Sequence, residues 1–174
     1  AEVLAFRFTA DTPGAYTGRV RVTDAHGAKT TVADTTLAVA GSLKNGLKYE
    51  ARILVLHEGG TAKKDADAVA FTKADALTIL LAADTNYSNK REKKWRGPDP
   101  HRRIAAQLAA AAKKPYDDLI REHVADYRRL YDRCRLQIGD TPAAIAAGTT
   151  DKRLAAYRKG GADPDLEELL FQYA

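Results

Sequence analysis

The chain has 174 residues, of which 45% are apolar and 29% are charged, and its formal net charge is +5. These fractions are typical of a folded globular protein, and they exclude a disordered or collagen-like chain. No apolar run approaches the ~20 residues of a membrane-spanning helix and no signal-peptide pattern opens the sequence, so we expect no insertion into a membrane.

The sequence up to about residue 86 consists of short stretches in which apolar and polar residues alternate, separated by turn residues. The predicted strands cover residues 3–9, 15–23, 30–39, 47–56, 69–72 and 77–83. The segment Asp24–Lys29 is predicted to close a hairpin between the second and third of these strands. Short strands at roughly ten-residue spacing favour an antiparallel sandwich over a parallel sheet with crossover helices.

Two of the predicted strands are apolar on both faces. The alternation breaks down around Leu54 and Leu56, and the run LTILLAA at residues 77–83 is apolar almost throughout. Apolar residues on both faces indicate a strand that is covered on both sides. We therefore expect these two strands to lie near the centre of the fold.

A polar and basic loop, residues 86–100, separates the strands from the helices. Its cations surround Trp95 and are Lys90, Arg91, Lys93, Lys94 and Arg96. Basic residues around an aromatic ring are typical of a site for single-stranded nucleic acid, and a carbohydrate-binding module is a related alternative. We favour a solvated connecting loop whose Trp95 packs on the sheet or on a neighbouring domain, because one aromatic residue is a poor stacking platform. No nucleic-acid partner is predicted.

Helical patterns begin after this loop. Asp99–Pro100 predicts a helix start, and the alanine-rich stretch His101–Lys114 follows it. Pro115 separates this helix from the next one. Apolar residues at three- and four-residue steps predict a second helix from Tyr116 to Leu130.

The hydrophobic period changes from helical to alternating within residues 114–139. Cys134, Leu136 and Ile138 alternate with polar residues before Gly139. This alternation predicts that the second helix passes into a short strand. The stretch is therefore interpreted as the joint between a β architecture and a helical one.

The last part of the chain predicts a loop followed by two helices. The first begins at Thr149 or Thr150 and stops at Gly160–Gly161, and the second begins at Asp163–Pro164. The apolar pattern of the second helix continues up to the last residues of the sequence, without a glycine or proline that would end the helix. The chain also contains no methionine. We therefore expect the sequence to be a fragment of a longer polypeptide.

Few residues suggest catalysis or metal binding. The pairs Asp117–Asp118 and Glu167–Glu168 occupy adjacent helix positions, which point about 100° apart, so neither pair converges on one substrate bond. A structural hydrogen bond is the better interpretation of His123 and Asp126 than a catalytic dyad. Cys134 is the only cysteine, and no two histidines have metal-ligand spacing. We predict no catalytic, cofactor-binding or metal-binding residue, and no cofactor.

The helical part resembles a known family. The string HVADYRRLYDRCRLQIG, followed by TTDKRLAAYRKGGADPDLEELLFQYA, is similar to the domain junction of family 95 glycoside hydrolases. The stretches NGLKYEARILVLHEGG and LTILLAADTNY agree more loosely. Cys134 and Arg135 depart from the family, which often has a small hydrophobic and a polar residue there.

The resemblance implies a fold and an activity. Members of the family join an N-terminal β-supersandwich through linker helices to an (α/α)6 barrel. They resemble α-L-fucosidases that invert the configuration of the anomeric carbon, and some relatives hydrolyse galactosides instead. The catalytic residues of the family lie in the barrel, which implies that they follow Ala174, so no catalytic residue is assigned here. The resemblance also favours a secreted or periplasmic location.

The expected fold class is α+β, an antiparallel β-sandwich, part of a supersandwich, followed by linker α-helices. Residues 1–86 are assigned to the sandwich, residues 87–139 to the basic loop and linker helices, and residues 140–174 to the truncated start of the helical region. The expected partners are the missing barrel and, through it, an oligosaccharide substrate. Open strand edges and an exposed last helix also predict a homodimer or strand exchange.

Overall fold

A computed structural model describes residues 2–173 of the chain. Its strands are β1 Leu4–Thr9, β2 Tyr16–Arg21, β3 Thr31–Ala33, β4 Thr36–Ser42, β5 Lys48–Glu58, β6 Thr61–Asp65, β7 Ala68–Ala74 and β8 Ala76–Thr85. Its α-helices are α1 His101–Ala112, α2 Tyr116–Tyr131, α3 Ala143–Ala146, α4 Thr150–Tyr157 and α5 Pro164–Tyr173, and one turn of 3-10 helix covers Arg91–Lys93. The predicted α+β class, antiparallel strands followed by helices, is confirmed.

The described residues divide into two compact units, with the boundary between Ile120 and Arg121 inside α2. The first unit contains two antiparallel sheets. One has five strands in the order β1-β8-β5-β4-β3, and the other has three in the order β2-β7-β6. The second unit contains the remainder of α2 and the helices α3 to α5.

The β5–β8 pair is the centre of the first unit, as its apolar sequence predicts. The two strands are antiparallel over ten residue pairs, from Tyr49–Thr85 to Glu58–Ala76. One face, which includes Val55 and Leu77, packs in a core with residues of β7 and β4. The opposite face, which includes Leu80, packs in a second core with α1. Because successive strand residues point to opposite faces, one strand pair supplies both cores.

The two cores contain the most deeply buried side chains of the first unit. The core between the sheets includes Val32, Leu37, Ile53, Val55, Val69, Ala74 and Leu77. The core between β8 and α1 includes Leu80, Ala82, Ile104, Leu108 and Ala111. Residues 104, 108 and 111 follow helical spacing, so a single stripe of α1 covers the sheet.

The predicted hairpin across Asp24–Lys29 is wrong. The strand β2 pairs with β7 in the three-stranded sheet, whereas β3 pairs with β4 in the five-stranded sheet. The segment therefore crosses between the sheets. Its conformation is fixed by Asp24, whose carboxylate accepts hydrogen bonds from the Ala28 N–H at 2.7 Å and from the Tyr49 hydroxyl at 2.7 Å. These two bonds lower the pKa of Asp24.

Two further differences concern the number of strands. The predicted strand at 30–39 is split into β3 and β4 by a turn at Asp34, which has a φ of 50°. The strand β6 was not predicted, because its sequence TAKKD has little apolar alternation. It follows a tight turn at Gly60, where a Cβ would collide with the carbonyl oxygens of Thr72 and Lys73.

The predicted strand at residues 134–138 is also wrong. The segment has no regular secondary structure and pairs with no strand in residues 2–173. Its backbone is bound by α5 side chains instead. Glu168 accepts a hydrogen bond from the Ile138 N–H at 2.7 Å, and Gln172 Nε2 donates one to the Cys134 carbonyl at 3.2 Å. Side chains of α5 therefore bind backbone N–H and carbonyl groups that would pair with a neighbouring strand if this segment were part of a sheet.

A buried carboxylate organises the second unit. Asp163 is 2% exposed and forms a bidentate ion pair with Arg153, with distances of 2.8 Å from Nε and 2.7 Å from Nη2. It also accepts hydrogen bonds from the Thr141 hydroxyl at 2.8 Å and from the Leu166 N–H at 3.1 Å. The Arg153 contact holds the pKa of Asp163 well below its usual range, although desolvation opposes the shift. One residue thus joins α4, the segment before α3 and the start of α5.

The dependence of the first unit on α1 is testable with Ile104→Ala. Ile104 is fully buried against β8. Removing its side chain leaves a cavity, and we expect a loss of about 2–5 kcal/mol in the free energy of unfolding. Denaturant unfolding measures this loss, with Arg102→Ala on the exposed face of α1 as the matched control. An equal loss for both variants would contradict the packing described.

The role of Asp163 is testable with Asp163→Asn. The amide keeps the shape but loses the charge that pairs with Arg153, so we expect a clear fall in the unfolding temperature at about pH 7. Because the pKa of Asp163 is lowered by folding, its stabilising effect is present above about pH 4 and is lost as the pH falls further. The gap between the two proteins should therefore shrink towards about pH 2.

The unfolding temperature is followed through the helical circular dichroism signal. Asp126→Asn is the matched control, because Asp126 forms an exposed ion pair with Arg129 at 3.0 Å and should change the unfolding temperature little. The account of the second unit fails if Asp163→Asn unfolds at the wild-type temperature at about pH 7.

Candidate functional site

The predicted carboxylate pairs do not form a converging site. Glu167 accepts a hydrogen bond from the Tyr157 hydroxyl at 3.0 Å, whereas Glu168 binds the Ile138 N–H. The bond to Glu167 raises the pKa of Tyr157. The other pair, Asp117–Asp118, lies in the first turn of α2, where carboxylates suit the helix dipole. Asp117, Asp118 and Glu167 lie in first turns of helices, whereas Glu168 lies further along α5 and binds the segment before α3.

His123 and Asp126 do not form a dyad. Asp126 pairs with Arg129, and the His123 ring stacks on Tyr127 with ring centroids 6.4 Å apart. Tyr127 in turn stacks on Tyr131 at 5.0 Å. The predicted hydrogen bond between His123 and Asp126 is therefore replaced by a ladder of rings along α2.

A polar cluster that the sequence did not reveal lies between β5 and α1. Glu50 is 6% exposed, and its carboxylate accepts a hydrogen bond from Arg52 Nε at 2.5 Å. His101 Nδ1 lies 3.2 Å from both carboxylate oxygens. The spacing of Glu50 and Arg52 places both on the strand face that α1 covers. The cluster joins the first turn of α1 to the sheet.

The basic loop is an ordered structure that presents two aromatic rings. Tyr87 pairs with Arg96 in a short antiparallel bridge, and the Ser88 N–H donates to the Trp95 carbonyl at 3.3 Å. The rings of Tyr87 and Trp95 form a stacked pair. The ring centroids are 6.4 Å apart and the ring planes differ by 1°. Tyr87 is 56% exposed and Trp95 is 43% exposed. Trp95 belongs to neither core of the first unit, and its ring stacks with Tyr87 instead of joining the sheet core. The alternative, that Trp95 packs on a neighbouring domain, stays a prediction.

The base of the loop is anchored to the sandwich. Asn86 is buried, and its side-chain oxygen accepts a hydrogen bond from the Lys48 N–H at 2.8 Å. Arg96 Nη2 donates to the Asn45 carbonyl at 2.5 Å, and the Gly97 N–H donates to the Asn86 carbonyl at 2.6 Å. The aromatic pair is therefore held in place by contacts to β5 and to the turn before it.

The second unit contains an apolar groove between α4 and α5. Its volume is about 790 Å³, and its walls are almost entirely apolar. It is lined by Thr150, Leu154, Tyr157, Leu166, Glu167, Leu169, Leu170, Phe171 and Tyr173. Glu167 is its one acidic residue and is already bonded to Tyr157. The groove offers apolar contact area and no pair of carboxylates.

Residues 2–173 contain neither a metal-binding cluster nor a membrane-spanning helix. No group of three or more His, Cys, Asp or Glu side chains within that range could hold a metal ion. None of its helices combines the length and apolar character required to cross a bilayer. Cys134 is a free and exposed thiol.

Two parts of the chain match glycosyl hydrolase family models. Residues 1–90 match the N-terminal domain of glycosyl hydrolase family 65, and residues 115–174 match the catalytic domain of glycosyl hydrolase family 95. The second match confirms the resemblance to family 95 seen in the sequence.

Two relatives extend across most of the chain. A protein of Aspergillus niger named "Probable alpha-fucosidase A" is 31% identical over 74% of this chain and 17% of its own length. "Alpha-L-fucosidase 2" of Arabidopsis thaliana is 27% identical over 74% of this chain and 16% of its own length. The chain thus spans about a sixth of the length of these relatives. By its match over residues 1–90 the chain belongs to the family of glycosyl hydrolase family 65 N-terminal domains, and that domain is followed here by residues of the family 95 catalytic type.

Proposed function

We propose that this chain is the non-catalytic sandwich and linker portion of a longer glycoside hydrolase that removes terminal α-L-fucose from oligosaccharides. The observation that carries the proposal is the order of the two matches in one chain, an N-terminal domain followed by catalytic-domain sequence. Both relatives that span this junction are named fucosidases, which supports the choice of sugar.

The arrangement of the carboxylates supports the non-catalytic role. An inverting glycosidase needs two carboxyl groups about 6.5–9.5 Å apart, facing each other across the sugar. In the second unit, Asp163 is paired with Arg153, and Glu167 and Glu168 are bonded to other partners. None of these three carboxylates faces another one across an open polar cavity. The acid and the base are therefore proposed to lie in the remaining catalytic domain.

The apolar faces of α2 and α5 support a second part of the proposal. Exposed apolar residues on these helices are Ile120, Val124, Tyr127, Leu130, Leu169, Leu170, Phe171 and Tyr173. A surface of this kind is unfavourable in water unless another surface covers it. We propose that the rest of the catalytic barrel covers it, and that the oligosaccharide substrate binds in that barrel.

The activity is tested with the longer polypeptide. We expect it to hydrolyse an aryl α-L-fucoside and to release β-L-fucose first, because inversion changes the anomeric configuration, which proton NMR detects. The variants Glu167→Gln and Glu168→Gln should keep kcat within about threefold of wild type, because each carboxylate only bonds within the second unit. A longer polypeptide that is inactive on α-fucosides and α-galactosides alike would refute the proposal, and a loss of kcat of about a thousandfold in either variant would refute the non-catalytic assignment.

Self-association of the isolated chain is proposed through β1. This strand is an edge of the five-stranded sheet, and Leu4, Phe6 and Phe8 on one of its faces are each about half exposed. The edge strand β6 carries Lys63 and Lys64, whose charges discourage pairing with a second copy. The charge of Arg7 on β1 is instead paired with Glu58 at 2.8 Å, so it opposes such pairing less. Pairing of β1 between two copies would satisfy its open backbone groups.

Light scattering during size-exclusion chromatography tests this association. We expect a concentration-dependent dimer that Phe6→Lys abolishes, because the charge is unfavourable beside the apolar face of a second copy. Thr61→Lys, on the edge strand β6, is the control and should leave the dimer unchanged. A chain that remains monomeric at every concentration would refute this route.

A further inference from the structure

We propose that Tyr87, Trp95 and the cations of residues 90–94 form a surface site for an anionic oligosaccharide, one that carries sulfate or carboxylate groups. The site is a binding function of the first unit. The choice of a sugar as the ligand rests on the proposed function, whereas the aromatic and cationic features are independent of it.

The aromatic rings are exposed and aligned. Their planes differ by 1°, and each ring keeps about half of its surface in solvent. Aromatic side chains of this size normally gain stability by burial, so a pair held at the surface points to a binding role. The faces of many pyranose rings consist of C–H groups, which pack against flat aromatic rings. An exposed face of this parallel, stacked pair can contact a sugar ring of a chain.

The backbone under the ring is strained. Lys94 has a φ of 51° and Trp95 has a φ of 60°, so two successive residues with side chains adopt the left-handed conformation. This conformation is unfavourable for a bulky residue and persists only where other contacts enforce it. Here the Trp95 N–H donates to the Lys90 carbonyl at 3.1 Å, and the Ser88 N–H binds the Trp95 carbonyl. The strain fixes the ring before a ligand arrives, which lowers the entropy cost of binding.

Apart from Arg96, the cations beside the rings form no side-chain hydrogen bond or ion pair that would hold residues 2–173 together. Arg96 is bound to the Asn45 carbonyl and serves as an anchor. The side chains of Lys90, Arg91, Lys93 and Lys94 are exposed, and none of them has a side-chain hydrogen bond or ion pair with residues 2–173. Glu92 is the only acid among them. Four cations and one acid give this short segment a net charge of +3, which would attract sulfate or carboxylate groups.

The same features fit a single strand of nucleic acid less well. Single-strand sites combine stacking with a basic groove that follows the phosphate backbone. This loop is instead compact, because its ends are joined where the Gly97 N–H donates to the Asn86 carbonyl at 2.6 Å. The acidic Asp99 adjoins the loop and is bound to Lys48 at 3.2 Å. A compact basic loop with two rings is therefore better matched to a short anionic glycan than to a continuous phosphate chain.

Binding is measured by fluorescence anisotropy with four labelled probes. They are a sulfated fuco-oligosaccharide, its desulfated counterpart, an oligogalacturonide and a single-stranded dT oligonucleotide. We expect the sulfated or the carboxylated oligosaccharide to bind most tightly, and the affinity to fall as salt is raised because the cations are exposed. Trp95 is the only tryptophan of the chain, so its fluorescence provides a second and local signal of binding.

The key variant is Trp95→Gly. Glycine accepts a positive φ without strain, so this substitution removes the ring while favouring the loop conformation. We expect at least about tenfold weaker binding of the anionic oligosaccharide, whereas Trp95→Phe, which keeps a ring, should retain most of the affinity. The double variant Lys90→Gln/Lys93→Gln should also weaken binding and flatten its salt dependence. The control Lys63→Gln/Lys64→Gln removes two exposed cations of β6 and should change nothing.

Four results would overturn the proposal. They are no binding of any oligosaccharide, unchanged binding in Trp95→Gly, binding of the desulfated probe as tight as that of both anionic oligosaccharides, and tighter binding of the oligonucleotide than of every sugar. None of these measurements requires hydrolysis. A longer polypeptide that hydrolyses fucosides while this chain binds no sugar would refute the surface site alone, and binding without fucosidase activity would refute the proposed function alone.

Discussion

The first unit depends on one strand pair that is covered on both faces. The strands β5 and β8 are antiparallel over ten residue pairs. Because successive side chains of a strand point to opposite sides, this pair has two continuous surfaces, one on each face of the sheet. One surface packs in the core between the two sheets, and the other packs in the core formed with α1. Loss of this pairing would therefore open both cores at once. The buried Glu50 lies at the edge of the second surface, where Arg52 and His101 satisfy its carboxylate.

This arrangement also explains how the loop after β8 is positioned. Residue Asn86 ends the pairing of β8 with β5 and binds the Lys48 backbone through its side chain. The loop therefore starts at the central strand pair and returns to it at Gly97, whose N–H donates to the Asn86 carbonyl. A strained Trp95 can be maintained in such a loop, because hydrogen bonds hold both of its ends.

Much of the fold could be predicted from local sequence patterns. The apolar runs around Leu54 and at 77–83 correctly indicated the central strands, and helix-start residues such as Asp99 and Asp163 correctly indicated α1 and α5. The errors concern which segments become neighbours. The period of residues 15–23 indicated a strand but could not show that β2 pairs with β7. The alternation around Leu136 likewise indicated an extended chain but could not supply a partner strand.

For the candidate sites as well, residues that are adjacent in sequence could be predicted, whereas residues that meet only in the folded chain could not. The cations around Trp95 are adjacent in sequence, so the basic loop was visible at once. Tyr87, the second ring, was missed because it precedes Trp95 by eight residues and meets it only through a turn. The Glu50 cluster required His101, which comes from a different element. Local patterns thus identify the residue types of a site, whereas its geometry depends on contacts between distant segments.

The central claim is that these residues support a glycosidase without performing its chemistry. It is tested most directly by the initial rate of aryl α-L-fucoside hydrolysis by the purified 174-residue chain, measured beside the longer polypeptide under the same conditions. The account predicts a rate equal to the buffer background for the chain and a saturable rate for the longer polypeptide. Saturable hydrolysis by the chain itself, abolished by substitution of one of its own carboxylates, would contradict the account.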